Sequence, residues 1–323
     1  MPWTSITPII LWAVTALPLA IGLWFVIPKS KITAILLLLI FLAYNLFWMW
    51  SVDWAFSNYF LRFVPIVLLF VLFIRYFTGL RLDSWLPKKK PTWILFGVSL
   101  AIVAAIILVD VRVARSFRYK NSPNEPKMLL FPLRRGLYVI ANGGNALDGI
   151  GMNNHFNSLF KPEIPPDPDM AYAVDVFKMT TRGWINNKGP RTNFFGDYLV
   201  YEDSVYAPCP GEVVFIEDGH PELPLFSQGP ELGNYIVIKC YDYYITLGNM
   251  KAGRFFVKTG DQVWFTNMLG QVGNSGMPAI PHLHIHTTLE GWKNGEGEPV
   301  PMLFEGLLSV NQLATRNKLF LPQ

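Results

Sequence analysis

The first 110 residues are written as long apolar runs separated by short polar breaks. Residues 9–27 and 32–50 carry no charged side chain, residues 59–78 carry only Arg62 and Arg75, and residues 92–109 are again uncharged. Each run comes close to the roughly 20 residues that a helix needs to cross a bilayer. Four such runs leave too little polar sequence to shield them in water, so the pattern predicts four transmembrane helices. Arg62 and Arg75 fall near the ends of their run, where long side chains are expected to reach the interface. Asn45 is the strongly polar residue well inside a run, and the expected role is helix packing. Pro18 and Pro65 predict kinks.

After residue 133 the pattern shortens. GEVVFIE, NYIVIKC and YDYYITLG are rich in β-branched and aromatic residues and are bounded by Gly, Asn and Asp. They predict strands of a compact antiparallel sheet or barrel-like sandwich, with no long amphipathic helix. The expected organisation is a four-helix transmembrane region over 1–110, a linker over 111–133 that includes NSPNEPKMLLFPL, and an all-β domain over 134–323.

Composition sharpens this division. Of 323 residues, 51% are hydrophobic and 15% charged, against roughly 25% charged in an average soluble domain. The net charge of +4, without a basic tract interleaved with aromatics, gives no case for nucleic acid. Lys29 and Lys31 follow the first run, and Arg81, Lys88, Lys89 and Lys90 follow the third. SVDWAFSN, after the second run, has neither Lys nor Arg. The positive-inside rule therefore predicts cytoplasmic basic loops and both chain ends outside the cell. Arg112, Arg115, Arg118 and Lys120 pull the other way, but they precede a long domain, for which the rule weakens. No basic segment precedes the first run, which argues against a cleavable signal peptide.

Candidate chemistry sits in the histidines. Three of the five fall in PHLHIH, as His282, His284 and His286. Residues two apart in a strand share a face, so the three imidazoles line one side. Imidazole is a common zinc ligand, and a catalytic zinc wants three protein ligands and one open position. His155, in GMNNHF, and one of twenty-three acidic residues compete to complete such a set, and spacing alone leaves the choice open. His220, in DGHPEL, reads as a turn residue. With two cysteines and none beside a histidine, a cysteine-ligated zinc finger is excluded. No Gly-rich phosphate loop or G-x-S-x-G elbow is present.

GDQVWFTNMLGQVGNSGMPAIPHLHIH, residues 260–286, resembles the closing block of the lysostaphin-like (LytM-type) zinc endopeptidases. VYAPCPGEVVFIEDG and GNYIVIKC resemble that family's central strands. GGNALDGIGMNNHF followed by AYAVDVF is similar to its opening block, in the branch where the first metal histidine lies well ahead of the aspartate. The resemblance implies the antiparallel fold of that family, with its duplicated hybrid motif. It implies zinc held by His155, Asp175 and His284, with His282 acting on the activated water or the transition state. His286 is then a bystander on the same face. The resemblance also brings the strands bearing Cys209 and Cys240 together, which leaves a disulfide and two buried thiols as open alternatives.

One departure bears on activity. The family places a second active-site histidine where TLGNMKAG puts Asn249. Asparagine can donate to an oxyanion but cannot exchange a proton near neutral pH, and losing such a group typically costs about two to three orders of magnitude in rate. The expected function is thus a membrane-anchored, extracytoplasmic zinc endopeptidase of bacterial cell-wall peptidoglycan. The alternative is a catalytically impaired domain that binds peptidoglycan or a regulatory protein partner. A third reading makes the helices a sensor or carrier, which the near absence of charge within them disfavours.

Overall fold

The computed structural model describes residues 3–78, 82, 84–119, 122–150, 153–155, 168–189, 192–277, 279–292, 297–305 and 312–322. Arg81 and Lys120, used in the charge argument, lie outside them. Four α-helices come first: α1 (Trp3–Phe25), α2 (Lys31–Ser51), α3 (Val64–Phe77) and α4 (Lys90–Arg115). Three segments among the described residues, Lys31–Ser51, Tyr59–Phe77 and Thr92–Arg115, are long and apolar enough to cross a membrane; the apolar stretch Ile9–Phe25 of α1 is shorter. Val14, Ile94 and Leu108 leave more than half of their surface uncovered. A ring of such side chains suits hydrocarbon rather than water.

The helices pack through Ala20, Leu23, Ala34, Leu37, Phe41, Leu72 and Tyr76. Asn45 ties α1 to α2: its Oδ1 accepts from Trp12 Nε1 at 3.1 Å, and its Nδ2 donates to the Phe41 carbonyl at 2.8 Å. Ser30 caps α2 by accepting from the Thr33 amide. Pro65 makes no mid-helix kink. It stands in the first turn of α3, directly after a 3-10 turn over Tyr59–Phe63, where a missing N–H costs nothing. Arg75 donates to the Trp24 carbonyl at 2.9 Å. Arg62, expected at the interface, is instead buried and donates to the Asn317 carbonyl at 3.1 Å. A neighbouring backbone acceptor replaces the headgroup water that the apolar context alone implied.

Among the described residues fourteen strands follow: β1 (Lys127–Leu130), β2 (Leu137–Asn142), β3 (Val174–Met179), β4 (Ser204–Tyr206), β5 (Gly211–Glu217), β6 (Asn234–Cys240), β7 (Tyr243–Phe255), β8 (Gln262–Val263), β9 (Met268–Val272), β10 (Leu283–Leu289), β11 (Glu298–Pro299), β12 (Met302–Glu305), β13 (Gln312–Leu313) and β14 (Leu319–Phe320). The main sheet runs β14-β2-β3-β10-β7-β6-β5-β8, with β11 on β10 and β4-β9 branching from β7. All its pairs are antiparallel. The path does not close, so the sheet is not a barrel. In the smaller sheet β1 pairs parallel with β12. The stretch expected as linker thus holds the last turn of α4 and a strand. Its apolar MLL residues pair with β12, and Leu129 is buried in the core.

The core gathers alternate residues of the strands, among them Ile140, Val176, Ile238, Ile245, Leu283 and Ile285. Cys209 and Cys240 are joined in a disulfide across this core, with their Cα atoms 6.1 Å apart and a separation of 31 positions in sequence. Closing a loop of that length removes unfolded-state entropy worth about 3–4 kcal/mol. The double variant Cys209→Ala/Cys240→Ala is therefore expected to unfold on the order of 10 °C lower. Thermal unfolding of the full-length protein, with and without reductant, measures this; a midpoint insensitive to both changes would show that the bridge stabilises nothing.

Candidate metal centre

Strand register builds the site. β10 lies between β3 and β7, and His284 pairs directly with Asp175 on one side and with Gly248 on the other. Opposed residues of an antiparallel pair bring their Cβ atoms to about 5 Å, so the carboxylate and imidazole meet without any loop having to place them. His284 Nδ1 lies 3.1 Å from Asp175 Oδ1. His155 arrives from the segment after β2 and sets its Nε2 3.1 Å from Asp175 Oδ2. One ligand atom from each of His155, Asp175 and His284 lies within 4.8 Å of the others. All three side chains are largely shielded from solvent.

The protonation states of Asp175 and His284 suit a cation. Burial by itself would raise the Asp175 carboxyl, but the His155 and His282 imidazoles around it hold it well below the usual carboxylate range. Burial, reinforced by neighbouring imidazoles, pushes His284 down to about 4, so its ring is neutral at physiological pH. Burial opposes charge on His155 too, yet the adjacent Asp175 outweighs it and keeps its pKa raised. His155 Nε2 faces Asp175 at ion-pair distance but without hydrogen-bond geometry. A buried carboxylate ringed by imidazoles, one with an unengaged nitrogen, is the donor set that a tetrahedral N/O-ligated zinc needs.

His286 is more than a bystander. Its Nδ1 lies 3.0 Å from His284 Nε2, and burial holds its pKa well below the ordinary value. A ligating imidazole usually engages a partner through its second nitrogen, and that fixes its tautomer. His282 is fully buried and stacks on Phe177 at 5.5 Å. Its Nδ1 sits 2.6 Å from the Ile280 carbonyl, which accepts the Nδ1 proton. Nε2 is then the unprotonated ring nitrogen, and it lies 3.3 Å from Asp175 Oδ1. Asn249 Nδ2 contacts both ring nitrogens, and the contact to Nε2 is the shorter at 2.5 Å. Asn249 therefore points at His282. Its own Oδ1 is buried without a partner. Asn249 takes a left-handed backbone, φ 59°, which Asn, Asp and His tolerate best among non-glycine residues. His220, away from this cluster, donates its amide to Asn234 Oδ1 and pairs with Glu217.

Two residues absent from the sequence reading complete the surroundings. Asn142 donates from Nδ2 to Asp175 Oδ2 at 3.2 Å, and its Oδ1 accepts from the Asn154 amide at 2.7 Å. Arg316 donates from Nη2 to the same Oδ1 at 3.1 Å. Two donors on the oxygen and a carboxylate on the nitrogen fix which way this amide points. Neither residue stands in a motif, so no local signal marks them.

Residues 197–296 match the model of Peptidase family M23. These residues are therefore an M23-type domain, and apolar helices precede it. The match contains Asn249, His282 and His284, while His155 and Asp175 precede it. Among solved structures, a zinc containing peptidase from Vibrio cholerae aligns at 16% identity over 51% of this chain and 37% of its own, with a TM-score of 0.33. The catalytic domain of the prophage-encoded M23 protein EnpA from Enterococcus faecalis aligns at 24% identity over 34% of this chain and 80% of its own, with a TM-score of 0.23. The catalytic domain of lysostaphin from Staphylococcus simulans aligns at 20% identity over 33% and 80%, with a TM-score of 0.23. The chain thus spans little more than a third of the Vibrio protein's length. A comparison with curated proteins found no match.

Proposed function

We propose that this protein is a membrane-anchored zinc endopeptidase of cell-wall peptidoglycan, with residues 1–110 as the anchor and residues 134–323 as the peptidase domain outside the cell. The convergence of His155, Asp175 and His284 carries this reading. These three would hold the metal, and zinc would supply Lewis acidity toward a scissile carbonyl and acidify water near pH 7. His286 would keep His284 in the tautomer whose Nδ1 lone pair faces Asp175. His282, unprotonated at Nε2, would take up or return a proton as the amide is cleaved. Phe177 and the Ile280 carbonyl hold that ring in one orientation, so little rotational freedom is lost on the way to the transition state. Full-length protein in detergent that carries one zinc per chain and cleaves purified peptidoglycan would support the proposal; zinc-loaded protein that leaves peptidoglycan intact would refute the catalytic part.

The contact from Asn249 to His282 favours a second reading. A donor aimed at the base nitrogen opposes proton uptake there, as expected of a domain that binds peptidoglycan peptides or a protein partner without cutting them.

Location has its own test. Lys88 and Thr259 are exposed, and the native cysteines are paired, so a single new cysteine reports its own side of the membrane. On intact cells an impermeant thiol reagent is expected to label Thr259→Cys and to spare Lys88→Cys. The reverse pattern would put the β domain inside the cell and remove the cell wall as substrate.

A further inference from the structure

The turn that joins α2 to α3 does not hang free between membrane and enzyme. It is seated on the β domain beside the metal centre. Arg316, buried in the turn between β13 and β14, donates from Nη1 to the Ser51 carbonyl at the end of α2. It also donates from Nε to the Ala141 carbonyl at 3.0 Å, and Asp53 Oδ1 lies 3.6 Å from the same nitrogen. Its Nη2 donates to Asn142 Oδ1, and Asn142 Nδ2 donates to Asp175. The next residue, Asn317, donates to the Val52 carbonyl at 2.9 Å and accepts from the Tyr59 hydroxyl at 3.0 Å and from Arg62. The last carbonyls of a helix have no partner within it, and here the β domain supplies them. A second, apolar path runs in parallel. Phe56 packs edge-on against Phe177 at 5.3 Å, and Phe177 stacks on His282.

We propose that Arg316 is a positioning residue of the metal centre, and that seating of the α2–α3 turn on it sets the orientation of Asp175. One planar fork grips the end of a membrane helix and the amide that holds the ligand carboxylate. A shift of α2 is thereby transmitted to the site through three hydrogen bonds. The helices then orient the metal centre as well as anchoring it. Lysine carries the same charge, but its compact ammonium lacks the rigid fork that serves several acceptors at once.

The inference rests on the metal-site reading, and the experiment separates the two. Zinc affinity is measured by chelator competition on full-length protein in detergent, for the unaltered chain and for Arg316→Lys and Arg316→Ala. An unaltered chain that takes up no zinc refutes the site itself. With zinc bound, Arg316→Lys is expected to weaken affinity by about 10–100-fold, the usual effect of losing a partner behind a ligand, and to change the visible spectrum of the cobalt-loaded site. A lower unfolding temperature with unchanged zinc affinity is what a purely structural role gives, and it overturns the proposal. The unaltered protein supplies a measurement that needs no variant to fold. Coupling is reciprocal, so zinc loading should slow hydrogen exchange in the α2–α3 turn, with the Tyr59 amide, which donates to the Gly183 carbonyl at 3.0 Å, as reporter. Slowing on the order of 5-fold or more is expected, and exchange indifferent to zinc overturns the coupling even if Arg316 variants are unstable.

Discussion

Asp175→Ala in the full-length protein is expected to reduce zinc affinity by more than about 100-fold, since loss of a mere outer partner already costs about 10–100-fold. Asp175 is the one anionic member of the set, and it touches His155, His282 and His284 at 3.1–3.3 Å. Removing it deletes a ligand and leaves three imidazoles facing each other with no counter-charge. His284→Ala should cost a similar amount, because the register pairing with Asp175 makes these two the fixed edge of the site. His282→Ala should leave zinc content at one per chain, since His282 stands outside the proposed ligand set. Metal analysis after exhaustive dialysis, with circular dichroism to check folding, reads all three. Retention of stoichiometric zinc by Asp175→Ala would sink the ligand assignment.

Asn249→His is the second large effect. If proton transfer is what the natural site lacks, cleavage of peptidoglycan should rise by on the order of tenfold or more. The backbone favours the trial, because histidine is among the residues that accept the left-handed conformation found there. Packing opposes it. A Cβ placed on Gly276 would come within 1.8 Å of Asn249 Oδ1, so the pocket leaves no slack on that side. The ring must therefore follow the present Nδ2 direction, toward His282. His282→Ala should abolish cleavage in either background while zinc stays bound. If the domain is a binding module, neither protein cleaves, and binding to peptidoglycan survives His282→Ala. Full activity in the natural chain that Asn249→His lowers would mean that another group supplies the missing function. His286, 3.0 Å from His284 on the same strand face, is then the nearest imidazole to test.

Much of the site could be read from the chain because its signals are local. HLHIH alternates, and alternation puts His282, His284 and His286 on one face whatever the rest of the chain does. The strands VVFIE and IVIKC and the apolar runs before residue 110 likewise rest on neighbours a few positions apart. Asp175 and His155 needed more, since nothing in the spacing singles out one aspartate, and the resemblance to a family selected them. The structure brings them to His284 through strand register, across a separation of 109 residues in the case of Asp175.

By itself, then, the sequence determined that apolar helices precede an antiparallel domain, and which histidines share a face. The resemblance to the lysostaphin-like endopeptidases added Asn249 as the position where a histidine is expected. Tertiary structure alone decided the rest. It closed the Cys209–Cys240 bridge, which composition left open, and turned Arg62 away from the interface onto Asn317. It also made His286 a partner of His284. Above all it linked Ser51 to Asp175 through Arg316 and Asn142, with Arg316 and Ser51 separated by 265 positions. Periodicity reports which face a residue occupies, because that depends on the local backbone angles. Which face meets which depends on chain path and register, and no window of sequence contains both ends of such a contact.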